Sequence, residues 1–142
     1  MNDTRRLMIS LEPAFGNVDM VRAAIRGICT DFFQLPENSA SIMDFCLIVT
    51  ELMNDAVKHA KTSVLDVELL LSDREAIFHL MADDASDPTA ETVLPSTESD
   101  GEFPDDGYGI ALIRLLSNGM EYEHLKNRNT VTLRKRLAEQ EQ

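Results

Sequence analysis

Glu51, Asn54, Asp55 and Lys58 recur at i, i+3, i+4 and i+7. At about 100° per residue this spacing puts them on one face of a helix, two carboxylates beside an amide and an ammonium group. Such a face has two readings. Such a face can hold a bound cation; equally, any amphipathic helix carries a charged, solvated side. The two acids repel by a few tenths of a kcal/mol on an exposed helix, which a bound cation or Lys58 would offset. Leu47 falls in the same sector, where an apolar residue implies some cover.

Two further groups could carry chemistry. Asp106-Gly107-Tyr108-Gly109-Ile110 opens an apolar, helix-like stretch. Glycines let backbone N–H groups approach an anion, and a helix start adds unpaired donors, so a phosphate fits there; the bland alternative is that Asp106 caps the helix and the glycines end a loop. Asp83-Asp84 closes a strand, where a carboxylate can accept a hydrogen bond from an exocyclic amine such as that of adenine, or simply form a turn. His59 reads as structural because no second His or Cys completes a metal spacing near it. Cys29 and Cys46 fall on apolar helix positions and read as small reduced hydrophobes.

Hydrophobic periodicity supplies the elements that must position these groups. Leu7–Leu11 alternates as a strand stopped by Pro13. Val18, Val21, Ile25, Ile28 and Phe32 mark a first helix with Asn17 as its expected N-cap and Leu35-Pro36 as its end. A second helix, capped by Asn38 or Ser39, carries the stripe Ile42, Phe45, Cys46, Val49, Leu52, Met53, Ala56, Val57 and Ala60, opposite the polar face. Leu65, Val67, Leu69 and Leu71 then alternate with polar residues, and Ala76–Ala82 forms the other arm of a hairpin, with His79 on its outer face. A third helix is expected from Gly109 to Leu116, followed by strands around Met120–Tyr122 and Thr130–Leu137.

The segment 84–106 stands apart, with three prolines, eight acids and neither Lys nor Arg. It is expected to be a loop or lid. The order of elements predicts an α+β fold, a two-layer sandwich with a mostly antiparallel, mixed sheet covered on one face by three helices. At 142 residues, one domain spanning 1–142 is the expectation. The net charge of −12 argues against a nucleic-acid partner. No apolar run is long enough for a membrane span, and the first fifteen residues lack the pattern of a signal peptide, which predicts a cytoplasmic protein without a membrane partner.

In this order, the features resemble the GHKL (Bergerat-type) ATP-binding domain, particularly the anti-sigma serine kinases of the RsbW and SpoIIAB kind. The resemblance is carried by the opening strand and first helix, by Glu51-Leu-Met-Asn-Asp-Ala-Val-Lys-His-Ala60, and by the Asp83 strand end. Gly107-Tyr-Gly-Ile-Ala-Leu-Ile113 and Asn129-Thr-Val-Thr-Leu133 complete it. It implies Glu51 as general base and ATP and Mg²⁺ as cofactors, with Asp55 in the metal-holding slot that an Asn fills in the family. It further implies that Asn54, Lys58, Asp83, Gly107, Tyr108, Gly109, Ile110 and Thr130 border the nucleotide. Ala85 and Asp87 stand where that family has two spaced glycines, and Asn129 where it has a glycine before Thr130. The implied function is a partner-switching anti-sigma factor that phosphorylates a serine of a STAS-type anti-anti-sigma protein, or a regulatory binding module of the same fold without catalysis. A sigma factor is the other implied partner, and relatives of this type also form homodimers.

Overall fold

The structure, a computed structural model, describes residues 4–59, 62–83, 104–125 and 128–137. The expected acidic loop lies outside these residues from 84 to 103. The elements are β1 (Thr4–Leu11), α1 (Phe15–Phe33), α2 (Ala40–Lys58), β2 (Leu65–Ser72), β3 (Glu75–Asp83), α3 (Pro104–Leu116), β4 (Gly119–Leu125) and β5 (Arg128–Arg136).

The five strands form one sheet in the order β1-β2-β3-β5-β4, and every neighbouring pair is antiparallel. The expected α+β fold with a mostly antiparallel sheet and three helices is found, and no neighbouring pair among the described strands is parallel. β3 and β4 run parallel, but β5 inserts between them and pairs with both, so the parallel strands never touch. The β1-to-β2 connection contains two helices, and β2 returns antiparallel beside β1.

Strict alternation decides which face is covered. Leu65, Val67, Leu69 and Leu71 on β2 and Ala76, Phe78, Leu80 and Ala82 on β3 are buried, as the period of two predicts. On β5 the buried side chains include Asn129, Val131 and Leu133. These meet Val18, Val21, Ile25 and Cys29 of α1 and the wide stripe of α2, to which the structure adds Ile48. The opposite sheet face carries polar rows, among them His79 Nδ1 against Thr132 Oγ1 at 2.9 Å and an ion pair of Arg6 with Glu68.

Helix ends differ from expectation in two places. α1 starts at Phe15 with Ala14 as its N-cap, and Asn17 Nδ2 instead donates to the Glu12 carbonyl at 2.9 Å. Its C-cap is Gln34, at φ 54°, just before Leu35-Pro36. α3 starts at Pro104, not at Gly109, so Asp106, Gly107 and Gly109 lie inside it. Proline suits the first helical position because it lacks the N–H that would go unpaired there. At the other end Lys135 Nζ donates to the Leu116 carbonyl at 2.6 Å, placing a cation against the negative end.

Candidate functional site

One end of the molecule gathers most of the candidate residues. β2 starts at Leu65, opposite Ala82, which faces Asn129, which faces His124. The C-terminus of α2 leads into this end through a short connection, and α3 runs from it towards Gly119 at the other. The polar face of α2 therefore descends towards the same edge of the sheet at which α3 begins.

Glu51, Asn54 and Asp55 are half-buried on that face and Lys58 is exposed. Asp55 Oδ1 lies 3.7 Å from Nε2 of His59, one turn further along, so His59 supports the carboxylate from its own helix. Glu51 also comes close to α3: a Cβ added at Gly109 would stand 3.0 Å from Glu51 Oε1. Gly109 thus lets the α3 backbone come up to a carboxylate. Its own N–H, sixth in the helix, belongs to the internal hydrogen-bond ladder; only the first-turn donors, 105 to 107, have no acceptor within the helix. Close packing against α2 is thus the part played by Gly109. Tyr108 and Ile110 follow in the same α3 backbone.

Two expected site residues do not face the α2–α3 contact. Thr130 sits between the inward-facing Asn129 and Val131, so it projects from the opposite sheet face, beside Met81 and Glu123. Asp83 follows inward-facing Ala82 and also projects outward, where Arg128 Nη1 donates to its Oδ1 at 2.6 Å. The same guanidinium pairs with Asp66, whose carboxylate also accepts from the Ser10 hydroxyl. These interactions hold the Asp66 carboxyl below its usual range, the Ser10 hydrogen bond foremost, and raise Arg128 further.

The residue at this end that sequence reasoning passed over is Asn129. It is 1% exposed on the helix-facing side, its Oδ1 accepts from the Tyr122 hydroxyl at 2.9 Å, and its Nδ2 has no partner among the described residues. His124, directly opposite on β4, has a buried Nε2 in the same condition. A buried polar atom without a partner costs roughly 1–3 kcal/mol, so two on facing residues mark a place where a polar ligand edge would be stabilising. The signal was present in the sequence: Val131 and Leu133 fix the inward parity of β5, and Asn129 shares it.

A concavity of about 1130 Å³ lies between α1 and α2 and is lined by Arg22, Arg26, Thr30, Met43, Leu47 and Thr50 among others. It contains none of Glu51, Asn54 or Asp55. Leu47, 40% exposed, faces this groove, so its cover comes from the α1 side.

The model of the histidine kinase-like ATPase domain matches residues 10–135. The chain belongs to that family. A search among curated proteins finds no match. Among solved structures, the fold is similar to the RsbU and RsbW domains of Rv1364c from Mycobacterium tuberculosis, with a TM-score of 0.64 and 18% identity. The likeness covers 94% of this chain and 32% of that longer one. It is a likeness of fold, and it accounts for the five-stranded sheet and three helices of this histidine kinase-like ATPase domain.

For such a domain, Mg²⁺ can be tested against the donors present. The described residues contain no group of three His, Cys, Asp or Glu able to hold a metal by themselves. Asp55 and Asn54 offer hard oxygens, which suits Mg²⁺, an ion that usually takes one or two protein carboxylates and completes its shell with water and phosphate oxygens. The donor set therefore fits a metal that arrives with a nucleotide. No helix among the described residues is long and apolar enough to cross a membrane.

Proposed function

We propose that the chain is an anti-sigma factor of the partner-switching type, an ATP- and Mg²⁺-dependent serine kinase acting on a STAS-type anti-anti-sigma protein. The supporting observation is the approach of Glu51 on α2 to Gly109 on α3, which sets a carboxylate beside the first turns of a helix, the end at which a helix favours an anion. In this reading the start of α3 at Gly107 would hold the phosphates, Asn54 and Asp55 would hold the metal, and Lys58 sits at the exposed rim. Glu51 takes the proton of the attacking serine hydroxyl. Phosphoryl transfer asks a protein mainly for position and charge neutralisation, and these groups supply both.

A second reading, a regulatory binding module without catalysis, is favoured by one observation: Asp83 is turned outward and held there by Arg128. Titration calorimetry separates the two. Under the kinase reading, ATP with Mg²⁺ gives measurable heat that Asp55→Ala abolishes, and labelled phosphate passes to a serine of the STAS protein. No heat at millimolar nucleotide, with retained sigma-factor binding, would establish the module instead.

A further inference from the structure

On the nucleotide reading proposed above, we infer that His59 is a positioning residue for the metal. It steers one oxygen of the Asp55 carboxylate, so that Asp55 serves as a one-oxygen ligand and the site takes Mg²⁺ in preference to Ca²⁺.

Asp55 stands where a helix tolerates an acid poorly. It lies in the last turn of α2, against the negative end of the helix dipole, and one turn after another carboxylate, Glu51. Its side chain is only 16% exposed, so water screens neither repulsion well. Opposing groups come from the same end of the helix. Lys58, three residues on, is exposed, and Nε2 of His59 lies 3.7 Å from Asp55 Oδ1. His59 is the C-cap residue, and its backbone N–H donates to the Asp55 carbonyl at 3.2 Å, so the backbone holds the ring beside the carboxylate. At 3.7 Å the side-chain contact is longer than a hydrogen bond. Contacts of this kind commonly tighten when the ligand arrives.

The two ions ask different things of a carboxylate. Ca²⁺ takes roughly six to eight oxygens in flexible geometry and accepts both oxygens of one carboxylate, whereas Mg²⁺ demands a near-octahedral shell at shorter distance. Both oxygens of a single carboxylate subtend too narrow an angle for two octahedral positions. An asparagine offers one oxygen by its own chemistry. An aspartate offers one only where a neighbouring donor orients it, and outer partners that orient a ligating carboxylate are worth roughly 10–100-fold in metal affinity. His59 is placed to make the aspartate at 55 behave as an asparagine would.

The test titrates the full chain with ATP in the presence of Mg²⁺ or of Ca²⁺. The wild type is expected to bind ATP with Mg²⁺ more tightly by about tenfold or more. His59→Ala should weaken binding with Mg²⁺ by about tenfold and leave binding with Ca²⁺ within about threefold, so the preference narrows. His59→Gln, which keeps a side-chain N–H donor, should retain most of it. In an Asp55→Asn background, His59→Ala should change binding with Mg²⁺ by less than about threefold. The His59 side chain is 47% exposed at a helix end, so these variants should fold, which a melt checks. Equal losses with the two metals, equal losses in the two backgrounds, or no loss at all would overturn the inference while leaving the nucleotide reading intact. If His59→Ala fails to fold, His59→Gln and the wild-type preference decide, and a wild type indifferent to the metal overturns the inference. Absence of ATP binding with either metal would overturn both.

Discussion

Glu51 and Gly109 meet across the α2–α3 contact so closely that a methyl group on the glycine would lie 3.0 Å from the carboxylate oxygen. The backbone at Gly109 is helical, which any residue can adopt, so the reason for glycine there is space. Gly109→Ala should therefore separate stability from function. Alanine gains about 1 kcal/mol in an exposed helix interior, and the Glu51 side chain, being flexible at its far end, can move aside at small cost. The melting temperature should hold or rise by a few degrees, while phosphoryl transfer falls at least about tenfold because the base has been displaced. Circular dichroism melts and a single-turnover assay check this. A variant that unfolds would mean that the contact is structural.

Removing the proton acceptor isolates its role further. Glu51→Gln keeps the shape of the side chain and loses its basicity. Transfer to the partner serine is expected to drop by roughly 10²–10⁴-fold with nucleotide affinity within a few-fold of wild type. Equal losses in affinity and rate would show that the carboxylate binds nucleotide or metal instead.

Much of this layout could be read before the structure. The burial of Leu65 to Leu71 on alternate positions, the hairpin at Asp73-Arg74 and the polar face of α2 all follow from periods of 2.0 and 3.6. What sequence motifs misplaced was parity at strand ends. Thr130 and Asp83 match a motif by order, yet each is one residue out of phase with the inward row set by Val131 and Leu80. A one-residue shift in a strand turns a side chain to the other face, and only the pairing partners fix which face that is. The start of α3 was missed for a different reason: Pro104 follows an acidic, proline-containing stretch, so its helix-starting role is masked by loop-like composition. Leu47 was placed correctly on its helix, but the groove covering it depends on how α1 crosses α2, which periodicity does not encode.

The two cysteines should be inert while the protein is folded. Cys29 is fully buried and its thiol is pushed up to about 12, chiefly by burial; Cys46 is raised for the same reason, with Arg26 and Arg22 acting against it. Since the thiolate is the reactive species, a disulfide-exchange reagent at pH 8 should label neither cysteine in the native state and both in denaturant. Rapid native labelling at Cys46 would show that the α1–α2 groove opens.

The outer-face network makes acid sensitivity predictable. Asp66 has its carboxyl pKa lowered in the folded protein by the Ser10 hydroxyl and by Arg128. In the unfolded chain an aspartate titrates near about 3.9, so the folded state binds its proton later as pH falls. The sign follows: the stabilisation is complete above the unfolded value and is lost as pH drops from about 4 through the lower, folded value. Asp66→Asn removes this contribution and should flatten the decline in unfolding midpoint between about pH 5 and 3 relative to wild type. Because Arg128 and Asp83 are substantially exposed, the difference at neutral pH should stay within about 1 kcal/mol. Nucleotide affinity should not change, since this network faces away from α2 and α3. Urea titrations at a series of pH values supply the measurement, and parallel curves for the two proteins would show that Asp66 is not linked to folding.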